Sequence, residues 1–193
     1  MEFADKSYEN QTFQDVSAAA AGLTKREFTG CAFQRCDFSG ARLSGALFQD
    51  CAFAGCNLSN AAVEGARFRQ AVFKDSKLVG IAFNTVRSLL LDWSFQACLI
   101  EMCDFSRLKM RGSRFIECRI RRTDFVEADL QDSVFRGSDL EGSLFHKTGL
   151  ERADFSGARA YAIDPTANRI KKAKFSYPEV LTLLAPFEIV VSD

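Results

Sequence analysis

From Leu23 onward, a large aliphatic or aromatic residue stands at every fifth position of this chain. The series runs Phe28, Phe33, Phe38, Leu43, Phe48, Phe53, Leu58, Val63, Phe68, Phe73, Leu78 and Phe83. After a slip of two residues it resumes at Phe95 and continues as Ile100, Phe105, Met110, Phe115, Ile120, Phe125, Leu130, Phe135, Leu140, Phe145, Leu150 and Phe155. An α-helix returns a side chain to the same face every 3.6 residues and a strand every 2.0, so neither produces a period of five. The backbone must follow some other regular path, and a repeat this long favours one elongated body over two small domains.

A second position repeats in step with the first. Two residues before most of the large residues stands a small one: Cys31, Cys36, Cys51, Cys56, Cys98, Cys103 and Cys118 share this slot with Ala41, Ala46, Ala61, Ala66, Ala71, Ala128, Ser133, Ser138, Ser143, Thr148 and Ala153. The slot selects for small size, so the seven cysteines read as small buried hydrophobes, with no metal or disulfide framework. Two residues after the centre, glycine recurs at 30, 40, 45, 55, 65, 80, 112, 137, 142 and 157, the place for a tight turn with positive φ. Only Gly22 and Gly149 fall elsewhere. Asp and Asn often precede the centre, as at Asp37, Asn57, Asp124 and Asp154, where a short side chain can bond nearby backbone.

Quintets such as CDFSG at 36–40, CNLSN at 56–60, ADLQD at 128–132, SDLEG at 138–142 and ADFSG at 153–157 strongly resemble the pentapeptide-repeat family. The resemblance implies an all-β solenoid: a right-handed quadrilateral β-helix with four quintets per coil and the central residues stacked inside. It covers residues 23–160, leaving 1–22 as an irregular N-terminal coil and 161–193 as a degenerate last coil with a capping segment. Eighteen of the 19 phenylalanines fall in central slots, so the aromatic content means core and not a platform for stacking bases.

The frame breaks at residues 84–94. If Leu90 keeps a central slot, the surplus lies at 84–88 and Trp93 falls in a small-residue slot, which it cannot fill without distortion. The break is either a tolerated insertion or a protrusion that presents Arg87 and Asp92 to a partner. Toward the C terminus, Pro165 falls in a central slot and the repeat revives at Ile170 and Phe175. Ser176 to Glu179 then reads as a capping box, followed by a short helix through Val180, Leu181, Leu183 and Leu184 that ends before Pro186. The tail from Phe187 to Val191 reads as a strand. This apolar segment exceeds what one coil end needs, which suggests a homodimer through Leu184, Phe187, Ile189, Val190 and Val191.

Composition excludes more than it selects. Lys plus Arg equals Asp plus Glu at 25 each, so net charge points to neither nucleic acid nor an anionic membrane. No apolar run reaches the roughly 18 residues of a membrane span, and the start is acidic, so a cytoplasmic protein without cofactors is expected. The sole histidine, His146, follows a central Phe and should face solvent, and no catalytic set or phosphate loop is visible. The expectation is a non-enzymatic protein.

Charge varies along the chain. Residues 104–122 carry Arg107, Lys109, Arg111, Arg114, Arg119, Arg121 and Arg122, and the following stretch carries Asp124, Glu127, Asp129, Asp132, Asp139 and Glu141. Among members of this family of similar length, the resemblance points to the quinolone-resistance (Qnr-like) and albicidin-resistance proteins, which bind DNA gyrase or topoisomerase IV. About eight coils at roughly 4.8 Å each give a protomer of about 40 Å, and an end-to-end dimer of about 75–80 Å approaches two turns of B-DNA. The expected function is therefore partial DNA mimicry toward a type II topoisomerase, with the acidic band as contact. The alternatives are a scaffold for another protein, with opposite charges paired between coils, and, as a minor option, direct duplex binding by the basic belt.

Overall fold

The computed structural model describes residues 3–87 and 91–189. Its strands are two or three residues long and every pairing between them is parallel. Partners lie 20 residues apart: Tyr8 opposite Phe28, Phe28 opposite Phe48, and Phe33 opposite Phe53. Twenty residues are four quintets, so each coil has four faces, which are numbered here in chain order from Tyr8, Phe13, Ala18 and Leu23.

The second face carries the longest sheet, six strands from Thr12–Gln14 to Arg114–Ile116. Behind it, nine phenylalanines form one column: Phe13, Phe33, Phe53, Phe73, Phe95, Phe115, Phe135, Phe155 and Phe175. Neighbouring rings are 4.8–5.2 Å apart and 4–14° from parallel. Rings from the second and fourth faces meet edge-on across the core, as Phe115 does with Phe105 and Phe125, so both favoured aromatic geometries occur. Phe28, Phe38, Phe48, Phe68 and Phe83 are sealed from solvent in the same core.

The small slot does more than save space. Its thiols and hydroxyls reach back one coil and donate to the carbonyl of a central residue. Cys36 Sγ bonds Phe13 O at 3.3 Å, Cys56 Sγ bonds Phe33 O at 3.3 Å, Ser138 Oγ bonds Phe115 O at 2.9 Å and Thr148 Oγ1 bonds Phe125 O at 2.9 Å. The slot therefore favours a small side chain with a donor, which explains why Cys and Ser share it with Ala.

Glycine is not required at the corner. The position two after the centre has positive φ whether it holds Gly112 at 72° or Ala97 at 51°, Arg35 at 50° and Asp132 at 60°. The coil imposes the left-handed conformation and the non-glycine residues bear its cost. The two off-corner glycines serve another purpose: a Cβ on Gly22 would lie 3.1 Å from the Arg42 guanidinium, and one on Gly149 would lie 2.6 Å from that of Arg169. Each leaves room for an arginine from the next coil.

Three sequence expectations change. The N-terminal segment keeps the ladder, since Tyr8 pairs with Phe28, Phe13 with Phe33 and Ser17 with Asp37, so the coil is regular from Ser7. At the interruption the frame persists through Arg87, whose N–H bonds Ala66 O at 2.8 Å, so the surplus expected at 84–88 does not lie within 84–87, and residue 88 is outside the described residues. Leu91, bonded from its N–H to Lys109 O at 3.0 Å, takes the central place expected of Leu90, which lies outside the described residues. Across the break, partners are 22 residues apart, as with Phe73 and Phe95, and beyond it the offset returns to 20, as with Phe95 and Phe115. Trp93 does take the small slot, and it fits because the indole extends into the core against Phe68, Phe83, Phe95 and Phe105. Its Nε1 donates to Phe68 O at 2.9 Å, the bond that a thiol or hydroxyl makes elsewhere. Third, Pro165 is not in the stack: Ile163 pairs with Phe145 in its place.

The C-terminal helix is a 3-10 helix, Glu179–Phe187, and it runs through Pro186 instead of ending before it. No capping box forms. Ser176 Oγ accepts a bond from Gly157 N at 3.0 Å, and Pro178 occupies the cap position without a side-chain cap. Leu183 packs on the last coil, and Thr182 Oγ1 bonds Tyr161 O, so this helix covers part of the open end. Phe187 ends the helix and begins no strand, while the remaining tail positions, Val190 and Val191, lie outside the described residues.

Candidate protein-binding surface

Outward positions carry the remaining chemistry. The acidic residues 124–141 form one coil, with Asp124 and Glu127 on the fourth face, Asp129 and Asp132 on the first, and Asp139 and Glu141 on the third. The basic belt is the preceding coil. Because like positions stack at the rung spacing, opposite charges on successive coils come within contact distance.

Five of the six acids are paired. Glu127 meets Arg107 at 3.2 Å, Asp129 meets Arg111 at 2.6 Å, and Asp139 and Glu141 share Arg121 at 2.9 and 3.2 Å. Asp132 is gripped from the following coil by Arg152 in a two-point contact of 2.6 and 2.7 Å, and Arg159 approaches Asp139 at 3.6 Å. Asp124 has no ion pair among the described residues; its carboxylate accepts the Val126 N–H at 2.7 Å. Arg122 turns the other way, to Glu101, while Lys109, Arg114 and Arg119 have no ion pair among the described residues.

These contacts set the titration of the layer. The hydrogen bond from Arg152 holds Asp132 below the usual carboxylate range. Burial pushes Asp139 up, but Arg121, the Glu141 N–H and Arg159 outweigh it. At Asp154, one coil on, burial likewise opposes ionisation, yet bonds from Ser156 and Arg136 bring the group to about 2. Mostly exposed pairs of this kind each add little stability. Their larger effect is on the surface field, which alternates in sign along the axis instead of being uniformly negative.

Arg87 and Asp92 are both exposed beside the interruption, and neither belongs to the acidic layer. At the C-terminal end Phe187 and Ile189 are 50% and 56% exposed and Tyr177 is 80% exposed, while Leu184 is half-buried. His146 faces solvent as expected, and all seven cysteines are buried and free. Among the described residues no group of three or more His, Cys, Asp or Glu is placed to hold a metal ion, and no helix is long and apolar enough to cross a membrane. Pairing of opposite charges between coils was one alternative open from sequence, but the partners of each arginine were not, because they depend on the 18- to 21-residue offset between coils, which local spacing does not display.

Comparison with known proteins agrees with this architecture. A trypsin-treated variant of QnrB1, a plasmid-mediated fluoroquinolone resistance protein, is 21% identical with a TM-score of 0.52, over 96% of this chain and 90% of that one. A second such variant is 20% identical with a TM-score of 0.50, over 97% and 90%. At this identity the likeness establishes the fold. No curated protein sequence matches. The pentapeptide repeat region profile matches residues 26–88 and the profile of pentapeptide repeats in eight copies matches residues 123–159, together more than half of the chain. Members of that family form right-handed quadrilateral β-helices, and this chain belongs to the pentapeptide-repeat family.

Proposed function

We propose that this protein acts without catalysis, by binding a type II DNA topoisomerase, gyrase or topoisomerase IV, and modulating it or protecting it from topoisomerase poisons. The observation behind this reading is the ring of six carboxylates on three faces of a single coil, borne by a rod about as long as one turn of B-DNA. Similarity to a fluoroquinolone resistance protein over nearly the whole chain adds weight to the choice of partner, although it speaks directly only to fold. The mimicry is partial. Arginines from the flanking coils neutralise much of the ring, so a topoisomerase would have to draw those carboxylates away from their partners.

The exposed apolar residues at the C-terminal end support self-association there, with Phe187 and Ile189 central to the contact. Sedimentation should then show a dimer at micromolar concentration and a monomer for Phe187→Asp. A monomer in both cases would remove the dimer from the proposal.

The test of function is to titrate the purified protein into supercoiling and drug-induced cleavage reactions of both enzymes. Reversing charge at Asp129 and Asp132 should weaken any effect more than reversing Arg119 and Arg121. The opposite ranking would refute the acidic contact. No effect at tens of micromolar on either enzyme favours a second reading, a scaffold for a different protein, which the internal pairing of the charged layers also suits.

A further inference from the structure

The last coil carries a different surface from the acidic coil. Between Asp164 and Glu179 the chain has four basic residues, Arg169, Lys171, Lys172 and Lys174, and no acidic one. Backbone bonds fix where they stand. Arg169 bridges Gly149 on the first face, Lys171 O accepts the Arg152 N–H at 3.0 Å, Lys172 turns the corner at φ 61°, and Lys174 pairs with Asp154 on the second face. All four are exposed. Arg169 is taken by Glu151 at 3.0 Å, but the three lysines have no ion pair among the described residues. Glu151 and Asp154, the carboxylates in the coil behind them, are already held, by Arg169 and by Arg136 at 2.6 Å. Arg152, behind Lys172 at the same corner, is paired with Asp132 one coil further back.

We infer that Lys171, Lys172 and Lys174 form a contact surface for the phosphate backbone of duplex DNA. They wrap one corner of a backbone fixed by its ladder bonds, and so present three positive charges on a convex edge whose neighbouring carboxylates are occupied. A polyanion with closely spaced charge gains most from such an edge, and a duplex carries about one charge per 1.7 Å of its axis. An anionic lipid surface suits the site less well. Peripheral membrane binding joins basic to apolar contact, and the exposed apolar residues near this coil lie on the cap, residues 177–189, whose charged residues are Glu179 and Glu188 alone. The adjoining side chains that could read a base edge are engaged elsewhere: Arg169 is tied to Glu151, and Asn168 is buried and bonds Phe145 O and Asp164 O. The contact is therefore with phosphates and is independent of base sequence.

The basic belt of residues 104–122 is the poorer duplex surface, although it holds more positive charge. Arg107, Arg111, Arg121 and Arg122 are paired with carboxylates of adjoining coils, and Lys109, Arg114 and Arg119, which are not, stand one coil from the acidic ring. The acidic contact and the DNA contact thus stand on separate coils, and naked duplex tests the second with no topoisomerase present.

The test titrates the full chain into a fluorescently labelled duplex and follows anisotropy across a salt series. Three phosphate contacts predict a slope of log K against log salt of about −2.7 for each protomer bound. Lys171→Gln, Lys172→Gln and Lys174→Gln combined should remove most of that slope and weaken binding about tenfold or more at about 50 mM salt. Lys109→Gln, Arg114→Gln and Arg119→Gln combined delete the same charge from the belt and should weaken binding by less than about threefold. All six side chains are exposed, so both variants should keep the circular dichroism spectrum of the parent. Equal loss in the two variants would show general charge attraction and overturn the assignment. So would no change in anisotropy at about 100 µM protein in low salt, or binding to vesicles containing phosphatidylserine with none to the duplex.

Discussion

Trp93 offers the sharpest test of how this solenoid tolerates a broken frame. Trp93→Ser places in the slot the side chain found at Ser113, one coil above in the same column. If the slot needed only a small donor, the variant would be neutral or better. The structure argues otherwise, because the indole is fully buried and touches four aromatic rings from three faces. Serine would leave about 140 Å³ empty, and at about 24 cal/mol per Å³ the cavity alone costs about 3.4 kcal/mol. Partial collapse and the retained hydroxyl donor reduce this, and the lost apolar transfer adds to it, so about 3–5 kcal/mol is expected. In a chain of this size that lowers the melting temperature by roughly 6–20 °C. Trp93→Phe, which keeps a ring but deletes the donor to Phe68 O, should cost less, about 1–3 kcal/mol for the lost bond and the smaller volume. Urea unfolding followed by far-ultraviolet circular dichroism measures both, since the only tryptophan is the residue removed. A Trp93→Ser variant within about 1 kcal/mol of the parent would show that the indole is not what fills the interrupted coil.

The corner positions give paired predictions of opposite sign. Ala97→Gly relieves a left-handed alanine worth about 1–2 kcal/mol against an unfolded-state entropy cost of about 0.5–1, so a gain of about 0.5–1 kcal/mol is expected. Gly112→Ala, where an added Cβ meets no atom within 4 Å, should instead lose about 1 kcal/mol from backbone strain alone, and equal effects in denaturant titrations would refute the corner argument. Asp154 gives a pH prediction. Its folded pKa of about 2 lies below the ordinary 3.8, so its stabilisation is complete above about pH 4 and is lost as pH falls through 2. Asp154→Asn should flatten that part of the acid limb in stability measured from pH 5 to 2, and an unchanged limb would mean that the Arg136 and Ser156 bonds do not persist in solution.

The repeat itself was legible because each quintet carries its own address. Phe115, Cys118 and Gly112 can be assigned to centre, slot and corner with no knowledge of what lies beside them, since the inward or outward direction of each side chain is fixed locally by the coil. The surface was legible only in part. The acidic and basic stretches were visible as composition, but that Asp132 is held by Arg152, or that Asp139 lies between Arg121 and Arg159, follows from stacking across coils. The donor role of the slot was hidden for the same reason, because Ser138 bonds a carbonyl 23 residues away.

Sequence by itself determined the period, the inward residues and hence a rod built on a phenylalanine core, because these depend on which side chains must leave water together. Tertiary structure decided where the frame slips, how Trp93 is absorbed, which basic residues are paired and how far the acidic coil is neutralised. All of these depend on the 20-residue turn that brings distant quintets into register, and its change to 22 at the interruption cannot be placed residue by residue until the coils are closed.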